Sequence, residues 1–107
     1  MTYKLFFSTK AKQDLLDIET SILGSTQSKE TTAKLIKGIL DSIEIKKFFP
    51  KTGKKLMSKD TFTGYYYAIY KKYLSFYRID NNSIYVDRIL YGGMDYMKVL
   101  FPELPKD

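Results

Sequence analysis

The sequence contains neither cysteine nor histidine. Without cysteine there can be no disulfide, no thiol nucleophile and no thiolate metal site. Without histidine, every acid–base, nucleophile-activating or metal-binding scheme that depends on an imidazole is excluded. We expect a protein that uses no metal and no cofactor, and the absence of cysteine fits a reducing compartment.

Long hydrophobic runs are missing as well. No window approaches the roughly 18 apolar residues that a membrane-spanning helix needs. Residues 1–14, MTYKLFFSTKAKQD, hold too short an apolar run for a signal peptide. We expect a cytoplasmic protein with no membrane partner. The length of 107 residues and the hydrophobic content of 44% predict one globular domain, residues 1–107.

Acidic residues are in the minority. The chain has 18 Lys and Arg against 12 Asp and Glu, a formal net charge of +6, and its only arginines are Arg78 and Arg88. Such a balance attracts nucleic acids, acidic proteins and anionic headgroups. A net charge of this size is also ordinary for a small soluble domain.

The densest positive charge lies between Glu44 and Asp60, where no acidic residue interrupts the lysines. Pro50 and Gly53 predict that this segment is a loop. It can be interpreted as an anion-binding or target-binding patch, or as a solvated face. The candidate binding residues are Lys46, Lys47, Lys51, Lys54, Lys55 and Lys59.

Residues 3–7, YKLFF, predict a short strand, and Ser8 or Thr9 could cap a helix after it. Apolar side chains then recur at helical spacing, with Asp14 off their stripe and Gly24 as a plausible stop. The stripe consists of Ala11, Leu15, Ile18 and Ile22.

A second helix is predicted to begin at Ser25, Thr26 or Ser28 and to end at Pro50. Its apolar stripe is Ala33, Ile36, Leu40 and Ile43, with Ile39 beside them. Two amphipathic helices joined by a short polar turn predict an antiparallel helical hairpin.

Three strands are predicted over residues 65–70, 73–79 and 83–91, with Lys71 and Lys72 as a two-residue turn. The turn DNN follows the second of them, and MDYMKVLF predicts a short last helix before Pro102. The expected fold is an α+β two-layer domain. Its order is an N-terminal strand, a helical hairpin, an antiparallel three-stranded meander and a short C-terminal helix.

The segment GYYYAIYKKYLSFYRID, residues 64–80, holds most of the ten tyrosines. These rings can be cross-strand pairs and core, or they can form a contact surface for a partner or for bases. The candidates for aromatic contact are Tyr65, Tyr66, Tyr67 and Tyr70.

Taken in order, these features resemble the RelE/ParE superfamily of toxins from type II toxin–antitoxin modules. The resemblance extends over residues 3–101. It rests on the strand ending in Phe7-Ser8, on the Phe49-Pro50-x-x-Gly53 signature after the second helix, and on FYRID followed by IYVDRILY. It implies a RelE/ParE-like domain.

The resemblance also implies a function. The chain would be the toxin of a plasmid-stabilisation module that inhibits growth, neutralised by a cognate antitoxin, and it would meet operator DNA only through the antitoxin complex. ParE-like members of the superfamily poison DNA gyrase, whereas RelE-like members cut mRNA in the ribosome. A relative that has lost its toxicity and only binds its antitoxin is a third alternative.

The nuclease alternative meets several departures from the superfamily pattern. Leu74 stands where RelE-like nucleases carry an arginine, tyrosines 65–67 replace lysines, and Gly92-Gly93-Met94 replaces basic residues. Cleavage needs charge on the scissile phosphate, and losing one such preorganised group costs about 3–4 kcal/mol of transition-state stabilisation. The sequence therefore favours a ParE-like toxin that is not a nuclease, with gyrase ahead of the ribosome as its target.

Four catalytic candidates remain if the chain is an enzyme, namely Arg78, Arg88, Tyr91 and Tyr96. An arginine in a strand needs a carboxylate or solvent, so Asp80 or Asp87 is the expected partner. Residues two apart on a strand share a face. Arg78 is therefore predicted on the face of Leu74 and Phe76, which is interpreted as buried. Arg88 is predicted on the equally apolar face of Ile84 and Val86.

Overall fold

A computed structural model of the protein describes residues 2–103. Residues 4–7 of the predicted first strand and the three later predicted strand segments are strands, and all three predicted helices are present. The elements in chain order are β1 (Lys4–Phe7), α1 (Thr9–Thr26), α2 (Lys29–Glu44), two 3₁₀ turns (Ile45–Lys47 and Pro50–Thr52), β2 (Lys54–Ser58), β3 (Thr61–Tyr70), β4 (Tyr73–Asp80), β5 (Ser83–Tyr91) and α3 (Tyr96–Leu100).

One five-stranded sheet organises the described residues, in the order β1-β5-β4-β3-β2. β1 runs parallel to β5, with Lys4 opposite Ser83 and Phe7 opposite Val86. All other pairings are antiparallel. The predicted α+β fold is confirmed, with α1 and α2 forming the second layer.

Each helix of the hairpin begins at its own serine cap. The hydroxyl of Ser8 accepts the N–H of Ala11, and that of Ser28 accepts the N–H of Thr31. The predicted stop at Gly24 is wrong, because α1 continues to Thr26. It ends where Gln27 adopts φ 53° and donates its N–H to the Leu23 carbonyl.

Ala11, Leu15 and Ile18 of the predicted α1 stripe pack in the core. Asp14 is buried beside them rather than lying off the stripe. The predicted stripe of α2 is rotated. Ala33 is exposed, whereas Thr32 and Ile39 are buried with Ile43. The helix ends at Glu44, six residues before Pro50, because the chain tightens there into the first 3₁₀ turn.

The sheet has a core on each face. The helix face buries Ile39, Ile43, Tyr77, Ile84 and Val86. We call the opposite side the open face. It carries a smaller cluster of Leu56, Phe76 and Leu90, against which α3 packs.

The prediction of a continuous loop between Glu44 and Asp60 is wrong for β2. This strand pairs with β3 at the sheet edge, and only Leu56 of its five residues is buried. The lysines of β2 made the segment look like a loop, although charged residues are common on edge strands. Among the described helices, none is long and apolar enough to cross a membrane.

Candidate functional site

The aromatic segment divides between the two faces of the sheet. Tyr65 and Tyr67 lie on the open face and contact its cluster. Tyr66 is buried on the helix face and stacks on Tyr77, with ring centroids 5.7 Å apart. Tyr70 is half-buried in the same core, where its ring packs against Gly38 of α2. Tyr66 and Tyr70 therefore follow the alternative of cross-strand pairs and core, whereas a contact role for Tyr65 and Tyr67 stays a prediction.

A polar cluster is built around Asp87 on the open face. The hydroxyl of Tyr65 donates to Oδ2 of Asp87 over 2.7 Å, and Nε of Arg78 donates to the same oxygen over 2.9 Å. The hydrogen bond to Asp87 raises the pKa of Arg78. The expected partnership of Arg78 with Asp87 is confirmed.

Two aromatic rings continue the row of side chains from Arg78 along the open face. Its guanidinium lies over the ring of Tyr85, 4.6 Å from the centroid, and Tyr85 stacks on Phe6 at 5.4 Å. Arg78 shares a face with Phe76, as predicted, but the prediction that it is buried there is wrong. Because α3 covers the Phe76 end only, 47% of the Arg78 side chain remains exposed.

Asp87 owes its position to a β-bulge. Phe76 of β4 opposes Arg88, whereas the next residue, Tyr77, opposes Val86, so Asp87 is an additional residue on β5. A bulge redirects the side chains around it. Here it turns Asp87 toward Arg78 on the open face, while Arg88 reaches α1.

Arg88 pairs with Asp14, a partner that sequence reasoning missed. Nε of Arg88 donates to Oδ2 over 2.8 Å and Nη2 donates to Oδ1 over 2.9 Å, while the N–H of Ile89 also donates to Oδ2. This hydrogen bonding to Asp14 raises the pKa of Arg88. The sequence did contain a signal for this burial: Asp14 lies three residues after Ala11 and four before Ile18, which places it on the apolar face of the helix.

A cleft of about 300 Å³ lies beside this ion pair, between the start of α1 and α3. Its lining residues are Ser8, Thr9, Lys10, Tyr65, Asp87, Arg88, Val99 and Leu100. The cleft thus joins two sequence candidates, Tyr65 and Arg88, to the carboxylate that also binds Arg78.

The remaining two catalytic candidates lie apart from this cleft. Tyr91 is half-exposed and makes an edge contact with Tyr73, whose ring belongs to the helix-face core. Tyr96 packs on Phe76 of the open face, at 5.2 Å between centroids. The sheet therefore lies between the two tyrosines.

The six candidate lysines are spread over the 3₁₀ turns, β2 and the β2–β3 turn. Lys47 pairs with Glu44, and Nζ of Lys46 donates to the Thr52 hydroxyl. Lys54 and Lys55 are neighbours on a strand and therefore point to opposite faces. Their role in binding stays a prediction, but these two cannot belong to one flat patch. Within residues 2–103 no group of three or more acidic side chains is placed to hold a metal ion.

Two tyrosines are expected to ionise at a higher pH than an ordinary tyrosine. Burial, with the hydrogen bond to Asp87, raises the pKa of Tyr65 to about 12, and burial raises the pKa of Tyr77 to about 12. Because these values exceed the ordinary 10.0, folding favours the protonated hydroxyls. Their contribution to stability is present below pH 10 and is lost as the pH rises through 12.

An ultraviolet titration of tyrosinate absorbance checks this expectation. The step near pH 12 should shrink in Tyr65→Phe and again in Tyr65→Phe/Tyr77→Phe. A step of unchanged size in both variants would contradict the assignment.

The fold is shared with chains of solved toxin–antitoxin structures. A chain of the chromosomal ParDE system from P. aeruginosa superposes with a TM-score of 0.70 at 17% identity, covering 84% of this chain and 96% of that one. A chain of the RelBE2 complex from Mycobacterium tuberculosis superposes with a TM-score of 0.54 at 22% identity, covering 85% and 99%. The molecule has the α+β fold of these proteins.

The family follows from the sequence itself. A family model described as the ParE toxin of the type II toxin–antitoxin system, parDE, matches residues 5–96. The chain belongs to this family and is therefore a toxin of the ParE/RelE type. No curated protein matches it.

Proposed function

We propose that this toxin acts by binding and inhibiting DNA gyrase, that it cuts no RNA, and that a cognate antitoxin neutralises it. The observation that carries the proposal is the separation of the four catalytic candidates. Arg78 and Arg88 are each committed to a carboxylate, and Tyr91 and Tyr96 lie on opposite sides of the sheet.

The chemistry of RNA cleavage explains why this separation matters. A 2′-hydroxyl must lose a proton, the phosphate must be stabilised and the leaving oxygen must be protonated, so several groups have to converge within hydrogen-bond reach. An arginine whose charge is balanced by a carboxylate 2.9 Å away offers a phosphate less net attraction. Leu74, which packs in the open-face cluster, offers none.

A ribosome-dependent endonuclease is the second candidate, and the cleft favours it. Tyr65, Arg88 and Lys10 line this cleft, and the half-exposed Arg78 adjoins it through Asp87. Binding of mRNA that displaced Asp87 from Arg78 would free one cation on the open face.

Two assays distinguish these candidates. Purified toxin should inhibit supercoiling by gyrase, and its expression should induce the DNA-damage response before translation stops. Translating ribosomes programmed with defined codons should yield no cleaved mRNA, under conditions where an active RelE-like toxin cuts. Cleavage at the A site that disappears with Arg78→Ala or Tyr91→Phe would reverse the order of the candidates.

An antitoxin partner is supported by the family and by the toxin–antitoxin complexes with the same fold. We expect a small open reading frame beside the gene, and we expect it to encode an acidic protein that co-purifies with the toxin in fixed stoichiometry. Operator DNA should bind to this complex and not to the toxin alone. Both candidate targets place the toxin in the cytoplasm. A toxin that purifies alone after co-expression would count against this part of the proposal.

A further inference from the structure

The connection between α2 and β2 presents three large apolar side chains to solvent. We call Ile45, Phe48 and Phe49 the aromatic turn. Their exposed fractions are 56%, 56% and 62%. Single exposed apolar residues are ordinary, but three large ones within five residues mark an interaction surface.

The backbone that carries the aromatic turn is firmly held. The N–H of Tyr3 donates to the Lys47 carbonyl over 2.9 Å, and the hydroxyl of the buried Tyr77 donates to the Pro50 carbonyl over 2.6 Å. The Thr52 hydroxyl closes the second 3₁₀ turn on the Phe49 carbonyl. A surface ordered in advance loses little entropy when a partner binds it.

Positive charge surrounds the aromatic turn. Lys46, Lys47 and Lys51 lie within and just after it, and the acidic residue nearest in the sequence, Glu44, is paired with Lys47. A two-fold contact with a second copy would bring like charges together, which is unfavourable. Aliphatic side chains flanked by carboxylates complement both the rings and the lysines.

We propose that the aromatic turn is a docking site for the antitoxin, in which an acidic segment covers Phe48 and Phe49 with aliphatic side chains and places carboxylates beside Lys46 and Lys51. The proposal rests on the antitoxin partnership proposed above. The apolar character of the turn favours the antitoxin over the target, since permanent interfaces are more hydrophobic than transient ones.

The test compares the toxin with three variants in binding to the antitoxin encoded beside its gene. Phe48→Ser/Phe49→Ser should raise the Kd at least about 30-fold, the size expected for a buried aromatic hot spot. Lys46→Gln/Lys51→Gln should flatten the salt dependence of Kd. Leu16→Ser is the matched control, because Leu16 is 55% exposed on α1, and its Kd should change less than about threefold.

Growth inhibition by each variant without antitoxin is measured in parallel, together with thermal unfolding. The expected result is a double-serine variant that still inhibits growth and escapes neutralisation. Hydrogen exchange on the native complex is a second measurement, and it should show protection at residues 45–52.

Three results would overturn the inference. Unchanged antitoxin affinity in the double-serine variant, with no protection of residues 45–52, removes the site. Normal antitoxin affinity with lost growth inhibition assigns the turn to the target. Binding of the wild-type toxin, but not the variant, to vesicles of phosphatidylglycerol and phosphatidylcholine, with unchanged antitoxin affinity, assigns it to anionic lipid. Failure of wild-type toxin to bind the antitoxin would instead reject the partnership itself.

Discussion

Replacing Asp14 by alanine should lower the free energy of unfolding by about 3 kcal/mol, because removing one partner of a buried ion pair leaves the other charge uncompensated. The carboxylate of Asp14 accepts two hydrogen bonds from Arg88 and one from the N–H of Ile89. Its side chain is 11% exposed, so water cannot replace these bonds without local opening.

Urea denaturation measures the effect of Asp14→Ala, and Asp17→Ala is the matched control. Asp17 lies three residues further along α1 and is exposed. Its carboxylate accepts a hydrogen bond from the side chain of Gln13, which is exposed as well. Its replacement should cost less than about 0.5 kcal/mol, as is usual for surface positions. Equal losses in the two variants would show that the Arg88 pair contributes nothing particular.

Phe76→Ala should lower the free energy of unfolding by about 4 kcal/mol, the range for a large cavity in a core. Phe76 is fully buried on the open face. Its ring lies 5.6 Å from that of Tyr67 and 5.2 Å from that of Tyr96, so it joins β3 to α3. Its loss should also release α3, whose five residues are too few to form a stable helix alone.

Ile69→Ala is the control for Phe76→Ala, since Ile69 is on β3 and 46% exposed. We expect it to cost less than about 1 kcal/mol. Hydrogen exchange should show loss of protection at residues 96–100 in Phe76→Ala at temperatures where the sheet remains folded. Retained protection there would mean that α3 is held by other contacts.

Much of the fold could be predicted because its signals are local. Apolar spacing revealed both long helices, and the branched and aromatic runs revealed β3, β4 and β5. β2 escaped detection because a sheet edge tolerates lysines, so Lys54 and Lys55 hid the single buried side chain, Leu56. On α2 the sequence predicted Ala33 to be buried, but Thr32 is buried instead. The rotation of a helix about its axis depends on its packing against the sheet, which the sequence pattern does not define.

The candidate site was less predictable because it depends on contacts between distant segments. Strand alternation alone could have separated Tyr66 from Tyr65 and Tyr67. Nothing in the sequence marks the bulge at Asp87, and the carboxylate that binds Arg88 lies 74 residues away at Asp14. The exposure of Arg78 depends on how far α3 extends over the open face, which is a property of the packed molecule.

The parallel pairing of β1 with β5 also determines when the molecule can fold. The hydrogen bond from Ser8 to Asp87 spans 79 residues of sequence, and contacts so distant form slowly because a long loop must close first. During synthesis, α1 leaves the ribosome long before the strand that supplies Arg88 to Asp14 and Val86 to the core. We expect a nascent toxin to remain unfolded until residues 83–91 have emerged, so that incomplete chains are harmless and susceptible to proteolysis.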